Sequence, residues 1–266
     1  MSSPFEQNRS MIFNPLIIVA SELGLQNSNS ANGSSKSSIV TSYKKVDAAG
    51  IGSVIVDGTT DEEIEQASAE GAYTVRSDLS EINRKHNYRS ASGAERIALT
   101  VNKFDRYYTH DIVVAVPDDM PELQPHYLQG LMYGLASTEV GIASLVSPLE
   151  EGEREDRNVV KAVVKWDSER QVHPLEGSKV GTLVDIRKDA GSAGANELFR
   201  LVPIHAWRRG CLDKLVEMPP SEREIEEGTD LVRALDAGFR IDVVLISEHM
   251  KVLITPEEVR GDEIEG

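Results

Sequence analysis

Residues 111–121 read DIVVAVPDDMP, and this stretch most narrows the folds open to the chain. Ile112 to Val116 is an unbroken apolar run, mostly β-branched, that ends in Pro117-Asp118-Asp119. β-branched side chains suit a pleated surface, and a run with no polar alternation implies burial on both faces. The pattern predicts a central strand of a parallel sheet. In open α/β sheets, ligands bind beyond the carboxyl ends of such strands. An Asp placed there can hold a magnesium ion against substrate phosphates, or simply cap the next turn.

Similar runs surround it. Leu16–Ala20 and Ser53–Asp57 read as strands, with a helix over Ile39–Ala49 between them that Gly50 ends. Thr60 is a candidate N-cap, followed by Asp61, Glu62 and Glu63, where the helix dipole favours acids. Gly71 and a short strand, Ala72–Val75, come next. Strand, helix, strand, helix, strand at this spacing predicts a parallel sheet with right-handed crossovers. Further on we expect helices over Ala94–Val101 and Pro125–Ala136 and strands over Gly141–Val146, Val159–Trp166, Val180–Ile186 and Leu198–Ala206. Helices over 209–217 and 221–237, parted by Pro219 and Pro220, then a strand over Ile241–Ile246 and a short helix capped by Thr255, complete the pattern.

Segments without apolar period fill the gaps. They are an N-terminal arm (1–14), the Ser/Asn-rich stretch 26–38, a polar loop at 77–92, the acidic run 150–156, Gly191–Gly194, and a tail at 262–266. Low complexity makes 26–38 a flexible loop by composition; cradling phosphate with its amides is the sharper reading. The remainder, 15–261, reads as one domain with a β excursion near 160–200. The chain shows no internal repeat and no glycine fingerprint for dinucleotides.

Its 266 residues suffice to bury a core. The net charge of -16 argues against nucleic acid or an anionic membrane as the main partner, while leaving a small anion open to local amides and cations. One cysteine, Cys211, excludes an internal disulfide and a Cys-based zinc site. The histidines show no metal-ligand spacing. Pro15–Ala20 is too short for a signal-peptide core or a membrane span, so we expect a cytoplasmic protein.

Several motifs, in shared order, resemble the 3-deoxy-manno-octulosonate cytidylyltransferases (CMP-Kdo synthetases). Val75-Arg76-Ser77-Asp78 and Ser92-Gly93-Ala94-Glu95-Arg96 are similar to the family's TRxDH and SGTER, with about a dozen extra residues between them around Glu81 to Arg89. Val114–Pro121 is similar to VNVQGDEP, with Asp119 on the metal-binding aspartate. Pro220–Ile241 follows PSPLExxExLEQLRxLxxGxxI, keeping Glu224, Glu227, Arg233 and Gly238, and Thr255–Glu258 is similar to the DTPED ending. The resemblance implies a three-layer α/β/α sandwich with a mostly parallel sheet, of the nucleotide-diphospho-sugar transferase type. It implies CTP as ligand, a sugar acid as co-substrate, magnesium at Asp119, and a homodimer joined through the β excursion. It places Arg76, Ser92, Gly93 and Arg96 on the nucleotide, with Lys36 the remaining cation of the first loop.

The departures fall on the chemistry. Ser21 stands where the family's PAR arginine would be, and Ile254 where its second metal-binding aspartate would be. Leu201 and His205 replace a sugar-facing His and a Tyr. Loss of one catalytic arginine in phosphoryl transfer costs on the order of 10³–10⁵ in rate. These losses predict a descendant that keeps the fold for nucleotide or protein-partner binding. The alternative is an active enzyme making a CMP-sugar acid for lipopolysaccharide or capsule, with Glu257 or Glu258 as substitute metal ligand. Arg76, Arg96 and Arg233 could meet an anion or pair with the surplus carboxylates. We expect Glu224, Glu227 and Asp230 on a solvated acidic face, and His205 packed in the core.

Overall fold

The computed structural model describes residues 13–21, 38–77, 93–171, 178–191 and 198–247. Its axis is β1 (Pro15–Ala20), buried along its whole length. Ile17 and Val19 turn to one face, and Leu16, Ile18 and Ala20 to the other, as the pleat requires. Burying the four large side chains Leu16 to Val19 contributes on the order of 6–12 kcal/mol before entropy is set against it.

β1 pairs in parallel with β2 (Ser53–Gly58) on one side and β4 (Ile112–Pro117) on the other, and β2 pairs in parallel with β3 (Tyr73–Arg76). The sheet continues through β5 (Ile142–Ser147), β6 (Lys161–Gln171), β7 (Lys179–Arg187), β8 (Leu198–Arg208) and β9 (Ile241–Leu245). Its spatial order is β3-β2-β1-β4-β8-β5-β9-β7-β6. Of these strands β7 and β8 alone run against the rest. The 160–200 region is therefore no separate excursion: β7 pairs with β9, and β6 with β8, within the same sheet.

Helices cover both faces. Ile39 and Val46 of α1 (Ser38–Asp47), Ala67 of α2 (Asp61–Ala69) and Leu128 and Leu131 of α4 (Pro125–Gly134) pack with Ile17 and Val19. Ala94, Ile97 and Val101 of α3 (Gly93–Phe104), Leu212 and Leu215 of α5 (Arg209–Glu217) and Leu231 and Val232 of the later α7 (Leu231–Asp236) pack with Leu16 and Ile18. This is the three-layer sandwich. Thr60 caps α2 in a capping box: its side chain accepts from Glu63 N at 3.2 Å, while the Glu63 carboxylate accepts from Thr60 N at 3.1 Å.

The helix expected over 221–237 is two. Ser221 caps α6 (Glu222–Glu227), accepting from Glu224 N at 3.0 Å. Gly228 ends it in the left-handed conformation, φ 75°, which glycine adopts without steric cost. The apolar period runs on through this break, which hides it in the sequence. No helix among the described residues is long and apolar enough to cross a membrane. Lys36, Ser92, the 26–38 stretch apart from Ser38, the 81–89 stretch, and the helix expected after Thr255 lie outside the described residues.

Candidate active site

Strand order reverses at β1: the chain runs from β1 out to β2 and β3, then crosses back to β4 on the other side of β1. The carboxyl ends of β1 and β4 therefore flank a topological switch point, where a crevice forms. A second opening adjoins it. β4 pairs with β8 only from Ile112↔Arg208 to Ala115↔His205, whereas β4 stays with β1 through Pro117. On the far side of β8, Ser144 faces His205 but Leu145 faces Val202, so Pro203 and Ile204 form a bulge. Pro203 lacks an amide hydrogen and suits that irregular position. Past the bulge β8 turns to β6, and the sheet forks above Ala115. Small side chains, Ala20 and Ala115, lie on the α3 face of the strands here.

Asp119 follows β4 at this fork. Its Oδ1 is buried and has no hydrogen-bond partner among the described residues. Burial pushes its carboxyl above the usual range, against a smaller opposing effect of its own backbone amide. A sealed carboxylate oxygen without a donor is costly unless a cation meets it. Its neighbour Asp118 is fixed by the backbone: Asp118 N donates to Ala20 O at 3.2 Å, and Ser42 Oγ donates to Asp118 O at 2.9 Å. Among the described residues no group of three or more His, Cys, Asp or Glu side chains is arranged to hold a metal ion. Asp119 alone fits magnesium all the same, because that ion commonly takes one or two carboxylates and completes its shell with water and substrate phosphate.

Arg96 is committed to the protein. Its Nε donates to Asp57 Oδ2 at 3.0 Å, Nη2 to Asp57 O at 3.1 Å, and Nη1 to Ser21 O. The guanidinium so ties the ends of β1 and β2 together. Asp57 is fully buried and heavily bonded: it accepts from Ser77 N at 3.1 Å, Ser77 Oγ at 2.8 Å and Thr100 Oγ1 at 2.7 Å. Arg76, expected on the nucleotide, is half exposed at the end of β3, pairs with Asp61 and donates to Thr59 O at 3.3 Å.

Gly93 opens α3 beside these strand ends, and the next residue is held from across the fold. Ala94 N donates to Asp230 Oδ2 at 2.7 Å. Glu95 accepts from Arg233 Nη1 at 2.8 Å, and Arg233 Nε lies 3.0 Å from Glu224 Oε2. Glu95, Glu224, Asp230 and Arg233 are all buried. The solvated acidic face expected for Glu224 and Asp230 is thus an interior cluster, since Arg233 gives those acids a reason to be inside. Glu227, at the margin, accepts from Lys188 N.

Where the family carries the PAR arginine, Ser21 is buried, with its Oγ 3.5 Å from both Thr59 Oγ1 and Glu63 Oε2. Glu63 Oε2 also accepts from Thr59 N at 2.8 Å. His205 is packed, as expected from its apolar strand. Its Nδ1 lies 2.9 Å from Ser144 Oγ, and its ring meets Trp207 edge-on at 5.6 Å. Burial pushes its pKa down to about 4, outweighing a smaller upward effect of the Ile204 backbone, so the imidazole is neutral at pH 7.

No family model matches the chain. Individual relatives do. A 3-deoxy-manno-octulosonate cytidylyltransferase of Azorhizobium caulinodans is 31% identical over 83% of this chain and 82% of its own length. One from Methylorubrum extorquens is 30% identical over 83% of each. The chain belongs to the 3-deoxy-manno-octulosonate cytidylyltransferase family. A solved CMP:2-keto-3-deoxy-manno-octonic acid synthetase complexed with CTP shares the fold, with TM-score 0.70 at 18% identity over 92% of this chain and 95% of that one. A solved mannose-1-phosphate geranyltransferase from Thermus thermophilus shares it more loosely, with TM-score 0.54 at 14% identity over 91% of this chain and 76% of that one.

Of the residues assigned to the site from sequence, the structure gathers Asp119, Gly93 and Arg96 at the same end of the sheet, with Arg76 at its margin. Sequence reading did not single out Asp57, Thr100 or Ser144. Asp57 carried the same signal as Asp119, an acid ending a buried strand. Thr100 lies one helical turn after Arg96, a spacing that puts both on one face.

Proposed function

We propose that the chain transfers a cytidylyl group from CTP to a sugar acid of the 3-deoxy-manno-octulosonate class, yielding a CMP-sugar of use in lipopolysaccharide or capsule synthesis. The observation that carries this is the buried, unpartnered Oδ1 of Asp119 at the switch point of a fold shared with the family. In such a transfer an acceptor hydroxyl oxygen forms a bond to the α-phosphorus and gives up its proton to water, the bond from the α-phosphorus to the bridging oxygen breaks, and pyrophosphate leaves with that electron pair. A magnesium ion at Asp119 would supply charge neutralisation on the phosphates.

The chain's own residues supply positioning, the main source of rate in phosphoryl chemistry. Arg96 and Asp57 fix the ends of β1 and β2. The family likeness also implies a homodimer, which sedimentation would measure.

A second reading, CTP binding without transfer, is favoured by one observation: the Glu63 carboxylate, not a cation, stands beside Ser21. The test is calorimetry of CTP with and without magnesium, followed by pyrophosphate release with the sugar acid. Magnesium-dependent binding with turnover supports the transferase, and Asp119→Asn should then lower metal-dependent binding at least about 10- to 100-fold. Binding without turnover leaves the second reading. Absence of CTP binding overturns both.

A further inference from the structure

Asp230 stands at the start of α7, yet its side chain makes no capping bond to its own helix. Its Oδ2 instead accepts from Ala94 N in the first turn of α3, 136 positions away in the chain. Three residues further on, Arg233 Nη1 donates both to Glu95 Oε1 at 2.8 Å and to the carbonyl of Met218 at 2.6 Å. From the other side Arg96 reaches Asp57 and Ser21. Three consecutive residues, Ala94, Glu95 and Arg96, are thus pinned by α7, by α7 again, and by the ends of β1 and β2. The first turn of a helix has amides without intrahelical partners and opens readily; this one is held at three successive residues, Ala94 through its amide and Glu95 and Arg96 through their side chains.

We infer that Asp230 and Arg233 are positioning residues for the nucleotide, fixing the first turn of α3 beside the cleft so that the site is formed before ligand arrives. The identity of the ligand rests on the cytidylyl reading above; the pinning of the turn does not. A ligand that had to order this turn itself would bind more weakly by the fraction of time the turn is unformed. The charged groups facing Asp230 are Arg233 on its own helix, Glu224 on α6 and Glu95 on α3. Burial of this set pushes the Asp230 and Glu224 carboxyls up, against the pull of Arg233.

The test compares the full-length protein with Asp230→Ala and Asp230→Asn, the second keeping an acceptor oxygen. Hydrogen exchange at the Ala94 amide and CTP affinity in magnesium are read together. In Asp230→Ala the amide should exchange at least about tenfold faster and CTP should bind at least about tenfold more weakly, because a charge-assisted hydrogen bond is lost. Asp230→Asn should restore most of both, and any turnover should lose more in kcat/KM than in kcat. If Asp230→Ala does not fold, Arg233→Lys reads the same two quantities, since it keeps the charge without the fork that reaches both Glu95 and Met218. Unchanged exchange at Ala94, or faster exchange with wild-type CTP affinity, overturns the inference. If the wild type binds no CTP, the cytidylyl reading falls separately, and exchange confined to the first turn of α3 decides whether the turn is held.

Discussion

Two charged clusters flank the first turn of α3, and they balance differently. Around Asp57 one carboxylate meets one guanidinium, with Ser77 and Thr100 supplying further donors. Around Arg233 three carboxylates, Glu95, Glu224 and Asp230, share one guanidinium. The first cluster solves the problem of buried charge by pairing. The second cannot, because opposite charge runs short, and protons supply the remainder. Burial pushes Glu224 up to about 7 despite Arg233, whose Nε approaches at 3.0 Å without hydrogen-bond geometry. The stability that the Arg233 cluster contributes should therefore vary with pH near neutrality.

The strongest way to break this contrast is Arg96→Met. It leaves Asp57 buried without its cation, and should cost about 3–5 kcal/mol in urea unfolding. A loss under 1 kcal/mol would show that the donors of Ser77 and Thr100 suffice. Arg233→Met should cost a similar amount at pH 8 but clearly less at pH 5.5, below the value of about 7 at which Glu224 takes a proton. Equal losses at the two pH values would refute the proton-balanced picture.

Glu224→Gln sharpens the comparison. The folded chain holds the Glu224 proton to about 7, against 4.5 for the ordinary group, so the stability it supports is full below 4.5 and is lost as pH rises through about 7. His205 works oppositely: about 4 when folded against 6.5 ordinarily, so its stability is full above 6.5 and is lost as pH falls through about 4. Each shift is worth on the order of 3 kcal/mol at most, and they oppose one another between 4.5 and 6.5. Wild-type stability should be nearly flat there, while Glu224→Gln should expose the acid-side loss from His205. A variant as flat as the wild type would show that Glu224 does not titrate in this range. Ser77→Ala should have the smallest effect, about 1 kcal/mol, because Asp57 keeps Arg96 and Thr100. A loss equal to that of Arg96→Met would mean that the cluster has no redundancy.

The same contrast governs what the sequence discloses. The strand runs Leu16–Ala20, Ser53–Asp57 and Ile112–Val116 were readable because each is apolar, bounded and locally encoded. The insertion of β8 between β4 and β5 was not, since antiparallel pairing of residues about 90 positions apart leaves no local mark. Asp119 was legible from its place at a strand end. Asp57 had the same placement, but there an acid reads as turn chemistry. Glu224 and Asp230 were misread because helical spacing alone is the same for solvated and buried acids. What separates the two is Arg233 meeting Glu95, 138 positions away.

The placement of β1 also bears on how the protein is made. It leaves the ribosome before either of its partner strands, β2 and β4. Its second neighbour, β4, begins at Ile112, opposite Pro15. At typical elongation rates of about 5–20 residues per second, the interval between them is on the order of ten seconds. Through that time the middle of the future sheet has one open edge in the nascent chain. The early life of this protein therefore depends on chaperone protection, or on the speed of its own translation, more than the buried final position of β1 suggests.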